Sequence, residues 1–188
     1  MKSKIMNNTI EILVNEIFDL LKNKTISQII NIETDNIYNK SGISLLIKRH
    51  LDTHSNFRLK ALKDNNVILK FISVGSNHKC FEAMSFAPTS LCNILFEEWD
   101  CIDKNEISTL KNQLSNYYIF IPIIKEKVKG SFNHYLEWEI GELSFWRPTK
   151  IEIKLIGEEW NQIKNRIKNG VKLKNVKYGN SFRTENNL

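Results

Sequence analysis

The sequence predicts an α/β fold, a mixed sheet flanked by helices. Three observations lead there. Helical periodicity fills roughly the first 55 residues. Two apolar β runs follow at 67–74 and 117–124. A long capped helix over 150–169 closes the pattern.

The elements follow in order. Ile10, Leu13, Val14, Ile17, Leu20 and Leu21 recur at helical spacing, and Thr9 can cap that helix over 9–22. Thr25-Ile-Ser-Gln28 has the form of a capping box and opens a short helix near 26–31. Ser41 caps a third helix, about 43–51, with Ile43, Leu46, Ile47 and Leu51 inward. These three helices make a small N-terminal helical unit, residues 1–55; residues 56–188 form the second domain. At Asn56 the pattern changes. Phe57, Leu59 and Ala61 alternate with Arg58 and Lys60, Lys63-Asp-Asn-Asn66 is a turn, and 67–74 is a mostly apolar strand. That predicts a β-hairpin.

Pro88-Thr89-Ser90 opens a helix of about 90–99, with Leu91, Ile94, Leu95 and Trp99 inward. A second helix near 104–114 carries Ile107, Leu110 and Leu114. Residues 117–124 and 134–145 read as strands. Pro148 and Thr149 introduce the helix over 150–169, with a stripe of Ile151, Leu155, Ile156, Trp160, Ile163 and Ile167, and Gly170 takes the position just past its end. The last eighteen residues are polar and basic, with little hydrophobic periodicity.

The chain has 188 residues, 41% of them hydrophobic and 26% charged, which suits a packed core and argues against whole-chain disorder. Its longest apolar run, 117–124, is too short for a membrane helix of about 20 residues. The lysines at the start have no apolar segment behind them, so no secretory signal is expected. Cys80, Cys92 and Cys101 are an odd number without C-x-x-C spacing, which reads as reduced thiols in a cytoplasmic protein. The four tryptophans, Trp99, Trp138, Trp146 and Trp160, read as core residues.

The net charge of +6 is unevenly placed. Residues 161–188 hold seven basic groups and one acid, whereas residues 1–160 balance twenty against twenty. A neutral body with a cationic end points to a polyanionic partner, nucleic acid first. A solvated helix face with a frayed tail would give the same charge count.

One short segment carries a chemical pattern. Metal-dependent nucleases of the PD-(D/E)xK kind place an E-x-K on the second strand of a hairpin, and period-2 spacing points the Glu and Lys to one face. Here that slot reads Ile68-Leu-Lys70, so the lysine is present and the acid is not. Asp64 and Glu82 could rebuild a metal site around Lys70, although Asp is common in turns for local reasons. His50 and His54, four apart, could share a helix face as ligands, but His is also favourable at a helix C-terminus.

Several segments together resemble the MutH-like type II restriction endonucleases of the Sau type, which cut GATC sites. They are Thr25-Ile-Ser27, Asn66-Val-Ile-Leu-Lys70, Phe81-Glu-Ala-Met-Ser-Phe86, Phe96-Glu-Glu-Trp99, Phe145-Trp146-Arg-Pro148, Glu159-Trp160 with Gly170-Val171-Lys172, and Glu185-Asn-Asn-Leu188. The match is to the catalytically silent C-terminal half. The resemblance implies a restriction-endonuclease-like fold with a degenerate active site. Positions that carry the two metal-binding acids and the lysine in active members are Ala61, Ile68 and Lys70 here. It implies no metal for this domain and Mg²⁺ for the catalytic half.

The role implied is that of an effector in a restriction–modification system. It would bind a second copy of the recognition site and promote cleavage by a catalytic half or subunit. The partners are then double-stranded DNA and that nuclease half, with a second copy of the chain as a further candidate. The DNA-binding residues implied are Lys70, Lys172, Lys174, Lys177, Asn180, Arg183 and Asn186. Similar proteins continue past the equivalent of Leu188, so an incomplete C-terminal domain is expected. Two other readings stand beside this one. The first is an active Mg²⁺-dependent endonuclease with a rearranged site. The second is a module that docks a partner protein through residues 1–55.

Overall fold

The computed structural model describes residues 8–30, 40–53, 59–81, 86, 90–101, 107–128, 131–132, 134–170, 174–178 and 181–185. The fold is mixed α/β. Its elements are α1 (Asn8–Leu21), α2 (Ile26–Ile29), α3 (Lys40–Thr53), α4 (Leu59–Asp64), β1 (Val67–Gly75), α5 (Leu91–Phe96), α6 (Thr109–Leu114), β2 (Tyr117–Lys125), β3 (Lys127–Val128), β4 (Ser131–Phe132), a 3-10 turn (Tyr135–Glu137), β5 (Glu139–Ile140), β6 (Ser144–Trp146), α7 (Lys150–Lys168), β7 (Lys174–Tyr178) and β8 (Ser181–Glu185). No helix among the described residues is long and apolar enough to cross a membrane.

The described residues divide into two units. One draws on 1–85 and 116–147, the other on 86–115 and 148–188. The first holds a mixed sheet of four described strands. β1 and β2 run parallel, from Val67 opposite Tyr117 to Gly75 opposite Lys125. On the other edge of β2, β5 and β6 pair antiparallel at different heights. β2 is apolar from Tyr117 to Ile124, mostly β-branched and aromatic with Pro122 between, as suits a strand with side chains packed on both faces.

The helices cover one face of this sheet. Ile10, Leu13, Val14, Ile17 and Leu21 of α1 and Ile43, Ile47 and Leu51 of α3 are buried in one cluster with Leu69, Phe71, Ile119, Ile121 and Ile123. Helical spacing supplies the first two rows and alternation supplies the strands. The expected boundary at Asn56 therefore does not divide the packing, because helices before it and strands after it share one core. The Thr25 capping box forms, with Gln28 reaching back to the Thr25 N–H at 2.9 Å. Beside it, the Ile26 N–H donates to the Trp138 carbonyl and the Ile140 N–H to the Lys24 carbonyl, clipping α2 to β5. Helix α3 begins at Lys40, so Ser41 lies inside it rather than capping it.

The hairpin expected over 57–74 is not formed. Leu59–Asp64 is a helix, and β1 pairs in parallel with β2 instead. Leu59, Lys60, Ala61, Leu62 and Lys63 are all strong helix formers, and Leu59 and Leu62 are one turn apart. The Asp52 carboxylate accepts the Leu59 N–H at 3.0 Å and starts that helix. The strand expected over 134–145 is broken into the 3-10 turn, β5 and β6.

In the second unit, Thr149 caps α7 with a complete capping box, and Gly170 leaves it at φ +73. Ser90 and Ser108 cap α5 and α6, both shorter than expected. The inward face of α7 is Ile153, Ile156, Gly157, Trp160, Ile163, Lys164 and Ile167, while Ile151 and Leu155 are exposed. The expected stripe is thus turned toward Gly157. The reason is Trp99, whose indole lies against the bare Cα of Gly157, where a Cβ would overlap it. The Trp99 and Trp160 rings pack at 5.8 Å. Gly157→Ala would ordinarily stabilise a helix interior by about 1 kcal/mol. Here the Trp99 overlap reverses the sign, and a lowered melting temperature with shifted tryptophan fluorescence is the expected result.

Candidate nucleic-acid interface

The cationic end of the chain is not a featureless tail. Residues 174–178 and 181–185 pair as an antiparallel β-hairpin, with Lys174 opposite Glu185, Val176 opposite Arg183 and Lys177 opposite Phe182. Short runs of alternating polar and apolar residues around Gly179-Asn180 are the signal for it, which composition alone hides. Lys174, Lys177 and Arg183 therefore sit on one two-stranded ribbon. Lys172, Asn180 and Asn186 lie outside the described residues. The last turn of α7 adds Arg166 and Lys168, cations placed where the helix dipole favours them. The charge count contained both, but periodicity gave no reason to single them out.

One of the seven basic groups is already spent. Lys164 is only 3% exposed. Its ammonium donates to the Glu98 carboxylate at 2.5 Å and to the Glu97 carbonyl, and lies 5.3 Å from the Trp160 ring centroid. The hydrogen bond from Lys164, aided by the charges of Lys164 and Lys168, holds the Glu98 carboxyl below its ordinary value of 4.5. Glu97 in turn accepts from the N–H and hydroxyl of Thr109 at the start of α6. Lys164 thus ties α7 to the end of α5 and is not available to a phosphate. Six basic groups remain in residues 161–188.

Lys70 belongs to the other unit, on β1. Strand alternation puts Ile68 and Lys70 on one face, as the E-x-K spacing requires. That face is aromatic. The parallel register sets Tyr118 beside Ile68 and Phe120 beside Lys70, and the rings of Tyr118, Phe120 and Trp146 lie 5.6–6.3 Å apart. Burial raises the Tyr118 hydroxyl above its ordinary value, with a hydrogen bond from Asn116 opposing. Trp146 is therefore half-buried among aromatics, while Trp99, Trp138 and Trp160 are buried. Phe145 stacks on Tyr117 at 5.4 Å, and the Arg147 guanidinium lies over the same ring while donating to its hydroxyl at 2.6 Å.

The residues at the degenerate site do not fit Mg²⁺. The ion asks for several oxygen ligands. Ile68 offers hydrocarbon, and Ala61 lies on α4 rather than on a strand beside it. Asp64 is exposed at the end of α4, and Glu82 lies outside the described residues. His50 is on α3, and His54 lies outside the described residues. Among the described residues, no three His, Cys, Asp or Glu side chains gather into a metal site.

No protein-family model matches the chain, and no curated protein matches it.

Proposed function

We propose that the chain is the non-catalytic, DNA-binding effector domain of a MutH-like type II restriction endonuclease, working in the cytoplasm on GATC-like duplex sites. The observation that carries this reading is the cationic hairpin following α7, which concentrates lysine and arginine on a ribbon able to enter a major groove. The hydrocarbon at the E-x-K slot supports a binding rather than a cutting role. Lysines of the ribbon neutralise phosphates, while Asn180, Arg183 and Asn186 are the candidates for reading base edges. Cleavage, and the Mg²⁺ it needs, belongs on this reading to a separate catalytic half or subunit. A second copy of the chain holding a second site fits the same scheme.

The test compares a GATC duplex with a scrambled duplex of equal length by gel shift, with parallel incubation of GATC plasmid in Mg²⁺ or Mn²⁺. Tighter binding of the GATC duplex and intact plasmid are expected. Equal binding would remove the site assignment. Cutting by this chain alone, lost in Asp64→Ala/Glu82→Ala, would replace the effector reading with an active nuclease.

A further inference from the structure

A cleft of about 380 Å³ opens in the first unit where α3, α4 and the start of β1 meet. Its walls are Leu59, Leu62, Val67, Ile68 and Leu69, and its polar groups are Lys48, Lys63, Asn66 and Asn116. Among the described residues no acid lines it. The nearest acid along α3, Asp52, has its carboxylate committed to the Leu59 N–H. Among the described residues neither Lys48 nor Lys63 has a carboxylate partner; Lys48 lies 5.8 Å from the Phe71 ring centroid. The Asn66 backbone carbonyl accepts the Tyr117 N–H at 2.8 Å, which fixes that residue at the rim of the cleft. Asn116 is held by its hydrogen bond to the Tyr118 hydroxyl.

This is an apolar trough with two cations and two amides, and its chemistry selects a ligand class. The leucine and valine walls take a flat apolar body, two ammoniums take a phosphate, and Asn66 adds a polar group of the kind that meets a heterocycle edge. The volume lies within the range of about 300–1,000 Å³ typical of small-molecule sites. We propose that the cleft binds a small aromatic phosphate of the nucleoside monophosphate class. None of the residues assigned to duplex binding is among those named on its walls, so nucleotide binding and duplex binding can be lost separately.

Isothermal titration of the full chain with AMP, adenosine and inorganic phosphate tests it. AMP should bind, with adenosine and inorganic phosphate each at least about tenfold weaker, because each offers half of the matched chemistry. Lys48→Gln/Lys63→Gln should weaken AMP about tenfold or more without changing the melting temperature. Lys63→Gln alone, at an exposed position, should show part of that loss if the double variant proves unstable. AMP binding no tighter than adenosine, or unchanged in the lysine variants, would overturn the proposal.

Discussion

Neutralising Lys172, Lys177 and Arg183 together to glutamine should weaken duplex binding by about a hundredfold at 0.15 M salt. The figure follows from counterion release. Each phosphate contact contributes about 0.9 to the slope of log K against log[salt], so three lost contacts remove roughly 2 log units at that concentration. Lys174 is left in place because its backbone pairs opposite Glu185 in the ladder. An unchanged melting temperature in the same variant separates lost contacts from lost folding. Lys150→Gln/Lys154→Gln, on the exposed first turns of α7, removes two charges elsewhere as a control and should leave binding unchanged. Fluorescence anisotropy with a labelled duplex measures both variants. If the control loses as much affinity per charge removed as the triple variant, the binding depends on net charge and not on the cationic end of the chain.

Lys164→Met should do the opposite, costing stability and leaving DNA binding alone. Methionine keeps the stem of the side chain against Trp160 but removes the donor to the Glu97 carbonyl and to Glu98. Leaving the partly buried Glu97 carbonyl without its donor costs about 1–3 kcal/mol. For a chain of this size that is a drop of roughly 2–12 °C in melting temperature. The pair also sets a pH dependence. The folded state holds the Glu98 carboxyl below its ordinary value of 4.5, so its stabilisation is complete above that value. It is lost as pH falls from 4.5 through the lowered folded value. The gap in melting temperature between the native chain and Lys164→Met should therefore be widest near neutrality and shrink below pH 4.5. A gap that stays constant into acid would mean that Glu98 is not the partner that matters.

Much of the fold was legible because local and tertiary preferences agree. The stripes of α1 and α3, the Thr25 and Thr149 capping boxes, the apolar run of β2 and the exit at Gly170 all appear where the residue pattern puts them. The failures have two causes, competition between periods over short windows and partners distant in sequence. Leu59 and Ala61 alternate, but the same five residues are also good helix formers, and the cap from Asp52 comes from outside the window. The α7 stripe was misphased because Gly157 counts as nothing in a hydrophobic pattern, yet receives Trp99 in the structure. Likewise Lys164 reads as surface charge until Glu98, sixty-six residues earlier in the chain, is seen to meet it.

For the site, the sequence located the cationic stretch and the missing acid. It did not foresee that the stretch pairs as a hairpin, that Ala61 is helical, or that the face shared by Ile68 and Lys70 is aromatic. These depend on partners distant in sequence. The charge count narrows as well, because Lys164, one of the seven basic groups in residues 161–188, is buried against Glu98.

The six other basic groups of residues 161–188 set the expected salt dependence. The binding constant for a GATC duplex, taken from 50 to 300 mM salt, should fall linearly in log–log form with a slope of about −5, as six phosphate contacts require. Lys164→Met should show the same slope, and the Lys172, Lys177 and Arg183 variant a slope of about −2 to −3. A slope near zero for the native chain, or one unmoved in the triple variant, would contradict the account.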